Sequence, residues 1–307
     1  MSETSLTGLG AASIPANPAS PKRKSVLTIG RVGLYVFLIT AALFFLLPLF
    51  VMLITSVKPM EEIRNGNLLA LPQVFTLQPW VKAWTQACTG LKCEGIQVGF
   101  WNSWFILIPS VIVSIAAGAL NGYALSFWKI RGAEILFAIL MLGAFVPYQV
   151  YIFPLVQITS KLGLFNTLPG IVVVHTIFGL PVMTLLFRNF YVSVPRDLFS
   201  AARVDGCGFL RIFWSVMLPM STPIIVVAAI LQTTGIWNDF ILGLVFAGRD
   251  NWPMTVQLNN VINSTQGERE YNVQMAATIL TALVPMLVYF LSGRYFVRGI
   301  AAGAVKG

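Results

Sequence analysis

The sequence predicts an all-α fold, a polytopic transmembrane bundle of about six helices. The chain of 307 residues is 57% hydrophobic and 10% charged, with a mean hydropathy of +0.79, a balance that excludes a soluble globular domain. Charged residues are absent from six long runs, residues 32–57, 95–128, 135–160, 162–187, 212–238 and 271–293. Each run exceeds the roughly 20 residues that cross about 30 Å of hydrocarbon. Because the runs are continuously apolar, they indicate helices rather than the alternating strands of a barrel.

The first element is a predicted disordered cytoplasmic tail over residues 1–30, which is rich in Ser, Pro, Ala and Gly and carries PKRK at 21–24. The apolar run that follows is too long for a signal-peptide core and no small-residue cleavage site follows it, so we expect it to remain as the first helix. Residues 31–299 are predicted to form the transmembrane domain, and residues 300–307 a cytoplasmic C-terminal tail.

Basic residues in alternate connections predict the orientation, because cytoplasmic loops carry an excess of Lys and Arg. Thirteen of the twenty basic residues fall on one side, namely Lys22, Arg23, Lys24, Arg31, Lys129, Arg131, Arg188, Arg196, Arg203, Arg211, Arg294, Arg298 and Lys306. Seven fall on the other, namely Lys58, Arg64, Lys82, Lys92, Lys161, Arg249 and Arg269. Both termini are therefore predicted to be cytoplasmic. Topology accounts for the net charge of +9, and nucleic acid is not an expected partner.

The outward loop between the first two helices contains Cys88 and Cys93. An oxidising compartment permits a disulfide there, but spacing alone does not fix the Cα separation that the bond requires, so both states stay open. Cys207 is predicted to lie inside and to stay reduced. His175 has no set of partners at ligand spacing, which favours a buried hydrogen-bonding histidine over a metal site.

The inward loop over residues 190–221, between the fourth and fifth helices, has the most specific pattern. It reads VPRDLFSAARVDGCG at 194–208, followed by IF at 212–213 and VMLP at 216–219. A short helix is expected after Pro195, with Ala201 and Ala202 forming a small face and Asp205-Gly206 ending it. The loop resembles the cytoplasmic signature loop of binding-protein-dependent ATP-binding-cassette importers. An ordinary connecting loop is the alternative.

This resemblance implies a cytoplasmic coupling helix that docks on an ATPase subunit. It assigns coupling to five residues, Ser200, Ala201, Ala202, Asp205 and Gly206. Ser200 stands where the family usually has Glu, so the contact here relies on packing or on Arg203. The family further implies a second homologous permease subunit, a dimer of ATP-binding subunits and an extracytoplasmic solute-binding protein, assembled in a bacterial inner membrane.

Enzymatic motifs are absent from the sequence. No Gly-x-x-x-x-Gly-Lys-Ser/Thr string occurs, so we expect ATP and Mg to be bound by the partner ATPase and this chain to hold no cofactor. No nucleophile stands in a recognisable context with a base, and no catalytic residue is predicted. The chain is expected to be a transporter subunit and not an enzyme.

Two further segments resemble the carbohydrate branch of this family, with maltose-type permeases. They are PYQ at 147–149 with LGLFNT at 162–167, and GIWNDF at 235–240. The resemblance implies a sugar or polyol substrate. Amide, carboxylate and aromatic side chains suit sugar hydroxyls and ring faces, which makes the predicted pathway residues Tyr148, Gln149, Trp237, Asn238 and Asp239.

Asp239 is the only acidic residue in a predicted span, where a charge costs about 2.5–3.5 kcal/mol on insertion scales. The alternative is a structural carboxylate near the outer interface or bonded to a partner helix. An ion-coupled secondary transporter would need several such groups. A structural scaffold would leave the coupling loop unexplained, and an importer of a non-carbohydrate solute stays open. The outward segment 248–272 is predicted to face the binding protein.

Overall fold

The computed structural model describes residues 29–90, 92–128, 130–264 and 269–304, with side chains as far as Ser292. Of the predicted disordered tail, only residues 29 and 30 are among them, and both are helical. The described residues form helices and no strand, so the all-α prediction is confirmed. The chain divides into two compact units, Met1–Pro48 and Leu49–Gly307. The described part of the first unit is a continuous apolar helical segment.

Four helices are long and apolar enough to cross a membrane: α1 Ile29–Ser56, α4 Gln97–Phe127, α7 Leu168–Ser193 and α14 Tyr271–Ala304. The shortest candidate span is the part of α14 over Tyr271–Ser292, with 22 residues, which at 1.5 Å per residue is about 33 Å and exceeds the hydrocarbon thickness of about 30 Å. α14 runs into the segment predicted as the C-terminal tail, whose last three residues lie outside the described part of the chain.

Two predicted spans are broken helices. α5 Ala133–Phe145 and α6 Gln149–Lys161 meet at 107°, and the helical run Phe209–Met220 meets α11 Thr222–Trp237 at 77°. The continuous spans expected over 135–160 and 212–238 are therefore wrong in shape, although six spans remain if each bent pair counts as one. Proline explains the first break, since Pro147 lacks an N–H and holds Val146 in an extended conformation.

The run Phe209–Met220 is itself composite. It consists of α9 Phe209–Ile212, a π-helical stretch over Phe213–Met217 and α10 Leu218–Met220. Single π turns interrupt helices at strained or functional positions. The loop predicted over 190–221 is thus largely helical, and its irregular backbone is confined to the ends of α8 Arg196–Val204 and to Ser221.

Short helices connect the long ones on the side predicted to be extracytoplasmic. They are α2 Met60–Asn65, α3 Gln78–Thr85, α12 Ile241–Phe246 and α13 Met254–Asn263. Lys82 Nζ of α3 lies 2.5 Å from the Glu270 carboxylate just before α14. On the side predicted to be cytoplasmic, Arg188 of α7 pairs with Glu134 of α5 at 3.1 Å. Loops predicted to share a side therefore meet each other.

The second unit has two apolar cores, both of which involve α4 and α7. One centres on Trp237, whose ring packs edge to face with Phe100 and Trp104. The other surrounds Tyr123, Phe187 and Tyr191. α4 and α7 approach closely because Gly118 and Gly122 have no side chain: a Cβ there would lie 2.4 Å from Met183 and 2.7 Å from Phe187.

Candidate functional site

The predicted coupling helix is present as α8, Arg196–Val204. Pro195 precedes it with an extended backbone, and Asp197 in the first turn and Arg203 in the last have the charges that suit the helix dipole. The helix ends at Val204, Asp205 follows as its C-cap, and Gly206 comes next with a φ of +80°. This left-handed conformation favours glycine, because a Cβ would strain the backbone there.

α8 has two unlike faces. Phe199 and Ala202 pack against the core around Tyr123, where the rings of Phe199 and Phe127 stack with centroids 4.9 Å apart. Ser200 and Ala201 are exposed on the remaining surface, where Val204 is 87% exposed. Of the five predicted coupling residues, Ala202 is the one that holds the helix to its own chain, while Ser200, Ala201, Asp205 and Gly206 are solvent-exposed.

Two tyrosines connect this loop to the long helices, and neither was predicted from the sequence. The Tyr123 hydroxyl of α4 donates to the Phe209 carbonyl at 3.0 Å. The Tyr191 hydroxyl of α7 shares a hydrogen bond of 3.0 Å with Ser221 Oγ, which also donates to the Met217 carbonyl. The four-residue spacing of Tyr123 and Phe127 could have indicated the contact from the sequence, since it places both rings on one face of α4.

Tyr148 and Gln149 lie at the break between α5 and α6. Tyr148 is half-buried, with its ring edge to face with Phe178 at 6.1 Å, and Gln149 is exposed at the start of α6. A bend within a membrane-spanning pair frees backbone groups that need a cavity or a neighbouring helix. The two residues therefore stand at an irregular point of the chain, and their role on a pathway stays a prediction.

Trp237 has the surroundings of a core residue. Its side chain is 1% exposed and its indole N–H donates to the Thr281 carbonyl at 3.0 Å. The ring predicted to meet a sugar is instead buried and packs edge to face with Phe100 and Trp104 of the same chain. Asn238 next to it is exposed, so the structure separates two residues that the sequence grouped.

Asp239 does not lie within a membrane-spanning helix, contrary to the interpretation from sequence. α11 ends at Trp237, and Asp239 falls in the break before α12. Its carboxylate accepts the backbone N–H groups of Leu242 at 3.3 Å and Gly243 at 2.8 Å, which caps the start of α12. One carboxylate oxygen also lies 3.9 Å from the ring of buried His175. Asp239 therefore stabilises the start of α12.

On the side predicted to be extracytoplasmic, Cys88 and Cys93 form a disulfide, the alternative that the sequence left open. Lys92 inside this closed loop lies 3.5 Å from the Asp250 carboxylate. A cleft of about 570 Å³ separates the loop from α13. Among the described residues, no three His, Cys, Asp or Glu side chains form a metal-ligand group.

Known proteins resemble this chain over most of its length. The model of a family described as "Binding-protein-dependent transport system inner membrane component" matches residues 8–302. The osmoprotective compounds uptake permease protein GgtD of Synechocystis sp. is 32% identical over 288 residues, which cover 90% of this chain and 92% of that protein. The alpha-glucoside transport system permease protein AglG of Rhizobium meliloti is 35% identical over 264 residues, covering 83% of this chain and 67% of that one.

A solved structure shares this fold. It is a chain of a bacterial ABC transporter involved in the import of the acidic polysaccharide alginate, with a TM-score of 0.74 and 21% identity, covering 87% of this chain and 96% of that chain. At that identity the likeness concerns the fold alone.

Proposed function

Since the chain belongs to the family of inner-membrane components of binding-protein-dependent transport systems, we propose that it forms one half of the pathway of an ATP-driven carbohydrate or polyol importer. One observation carries the proposal. The solvent-exposed face of α8 presents Ala201 and Val204 beside Ser200, while Phe199 and Ala202 fasten the helix to the core. A helix that is anchored on one face and small or apolar on the other suits a contact between subunits.

The ATPase is the partner proposed for this face. Small residues allow close approach, and Val204, with most of its side chain in solvent, supplies apolar area to bury. In this proposal ATP and Mg bind to the ATP-binding dimer, and the present chain converts its closure into movement of α4 and α7. Ser200, Ala201, Asp205 and Gly206 lie at the contact, and Ala202 holds the helix in place.

Carbohydrate or polyol is the proposed substrate class. The names of relatives support it, with an alpha-glucoside permease and an osmoprotective-compound permease each at least 32% identical to this chain. A permease for arabinooligosaccharides from Halalkalibacterium halodurans is 30% identical over 290 residues. On the pathway, the exposed amides Gln149 and Asn238 and the half-buried Tyr148 offer hydrogen-bonding groups, whereas Trp237 and Asp239 support the surrounding structure.

The proposed assembly has four kinds of chain. A second, related permease completes the pathway, because one set of about six spans has too few faces to enclose a hydrophilic route. Two ATPase subunits dock on the cytoplasmic side, where both termini lie, and a solute-binding protein docks on the opposite side near segment 248–272.

Reconstitution tests this assignment. The chain is co-expressed with the second permease, the ATPase and the binding protein, and uptake into proteoliposomes is measured for maltose, sorbitol and glycine betaine. ATP-dependent uptake of maltose or sorbitol that requires all four components is expected. Uptake confined to glycine betaine would overturn the carbohydrate or polyol assignment. Uptake driven by an ion gradient without ATP would overturn the assignment as an ATP-driven importer.

A further inference from the structure

A polar cleft opens between the disulfide-closed loop and α13. It has a volume of about 570 Å³, which falls within the range of small-molecule sites. Thr89 and Lys92 of the loop form part of one wall, and side chains of α13 form part of the other. Neither the coupling contact nor the predicted pathway residues use this cleft.

Three amide side chains of α13 line the cleft, Gln257, Asn260 and Asn263. A spacing of three residues places them along one face of a helix. Each amide offers both a donor and an acceptor, the combination that matches neighbouring hydroxyl groups. Trp252 also lines the cleft and adds aromatic surface. The amides and the aromatic ring suit a polyhydroxylated solute, and the charged side chains of Lys92, Glu94, Arg249 and Asp250 complete the polar lining.

Gln257 supplies an independent indication that the cleft takes a ligand. Its side chain is only 5% exposed, and its Oε1 has no hydrogen-bond partner among the described residues. An acceptor left unpaired in a buried position is unfavourable, and native structures contain few of them. This oxygen is sealed from solvent as it stands, so the amide has to turn about its terminal torsion before a hydroxyl group bound in the cleft can donate to it and remove the penalty.

The walls of the cleft are preorganised before any ligand binds. Ser103 Oγ of α4 accepts the backbone N–H of Met254 at 2.8 Å, which secures the start of α13. Asn102 donates to the carbonyls of Asp250 and Trp252 at 3.0 and 3.1 Å. Gly99 lets α13 lie close, because a Cβ there would be 2.6 Å from Gln257 Cγ. Fixed walls lower the ordering cost of binding.

We propose that this cleft binds the carbohydrate or polyol that the assembly imports, on the side of the membrane where the solute arrives. The inference rests on the proposed function. Gln257 and Asn260 provide the hydrogen bonds, Trp252 covers an apolar face of the ring or chain, and the Lys92–Asp250 pair borders the site. The solute would occupy the cleft between release from the binding protein and entry to the pathway.

A protection experiment reports on the cleft locally. Asn263→Cys is introduced into the complete assembly in nanodiscs, and its alkylation by a maleimide is followed by peptide mass spectrometry without the binding protein. The probe is maltose or sorbitol, whichever the assembly takes up. We expect saturating probe to slow alkylation at least fivefold. Gln257→Leu or Asn260→Ala in the same background should raise the probe concentration needed at least tenfold.

Gln274→Cys is the matched control, because Gln274 lies on the same side in a neighbouring cleft and its alkylation should not change with the probe. Unprotected Asn263→Cys in an assembly that transports the probe would overturn the cleft assignment and leave the proposed function intact. Protection by substrate-free binding protein but not by the probe would also overturn it, since the occupant would be a protein segment. An assembly that imports neither probe overturns the proposed function and this inference together.

Discussion

The rings of Phe127 and Phe199 stack 4.9 Å apart, with their planes inclined by only 19°. Phe127 is the last residue of α4 and Phe199 lies in the middle of α8. The pair therefore joins the proposed ATPase-contacting helix directly to the end of a membrane-spanning helix. A displacement of α8 would reach α4 through this contact without passing through the turn at Gly206.

Phe199→Ala should uncouple ATP hydrolysis from uptake. It removes a ring contact of about 0.5–1.5 kcal/mol together with the apolar area that the ring buries. α8 then no longer packs against the end of α4. Uptake is expected to fall at least tenfold while membrane abundance stays near that of the unmodified chain. Phe199→Leu, which keeps apolar volume, should retain most uptake, and equal losses in both variants would contradict this role of the stack.

Gly206→Asp should lower uptake strongly without impairing membrane insertion. The reason is backbone strain at the φ of +80°. A steric clash is not the reason, because no heavy atom lies within 4 Å of a Cβ at this position. A non-glycine residue strains that backbone, and the added anion stands next to Asp205 at a proposed protein contact. Uptake, ATPase activity and copurification of the ATPase subunit are the measurements.

Two controls separate backbone strain from charge. Gly206→Asn introduces a residue that tolerates the left-handed conformation, and it should retain more uptake than Gly206→Asp. Gly208→Asp places the same charge two residues on, at a φ of −73° with open space around the Cβ position. Normal uptake by Gly206→Asp with a fully retained ATPase would show that this loop is not the coupling element.

Val204→Asp should weaken binding of the ATPase subunit. Val204 is 87% exposed on the face of α8 turned away from the core, so the substitution costs the isolated chain little. In the assembly it would bury an unpaired charge. We expect lower recovery of the ATPase at unchanged membrane abundance, whereas full recovery would place the contact elsewhere. Val192→Asn, at a position 67% exposed outside α8, is the comparison.

The hydrogen bond between Tyr191 and Ser221 should stabilise the bend before α11. A double-mutant cycle with Tyr191→Phe and Ser221→Ala is expected to give a coupling free energy of about 1 kcal/mol. Thermal unfolding of the detergent-solubilised assembly supplies the stabilities, and uptake shows whether the bend matters for transport. A coupling energy indistinguishable from zero would mean that the two hydroxyl groups do not depend on each other.

The outer segment 248–272 should contact the docked binding protein. A photoreactive residue at Asn259, on α13 but outside the lining of the cleft, is expected to crosslink to it. The crosslink should disappear when the binding protein is omitted or replaced by a non-cognate one. A solvated loop without this partner would give no specific product.

The sequence by itself determined the class of molecule and the place of the short helix α8. Charge-free runs longer than about 20 residues require a membrane, and the pattern from Pro195 to Gly206 predicted a helix whose bounds the structure reproduces. These features are local, because they depend on composition, proline and glycine within a few residues. Hydropathy did not reveal the bends of 107° and 77°, since it sums residues without regard to direction.

Only the tertiary structure decided what individual polar and aromatic residues do. Trp237 and Asn238 are neighbours in sequence, yet one is sealed by Phe100 and Trp104 and the other is exposed. Asp239 caps the start of α12, because its carboxylate accepts backbone N–H groups there. Whether a side chain meets a core, a helix end or a cleft depends on elements distant in the chain, because burial and hydrogen-bond partners are supplied by packing.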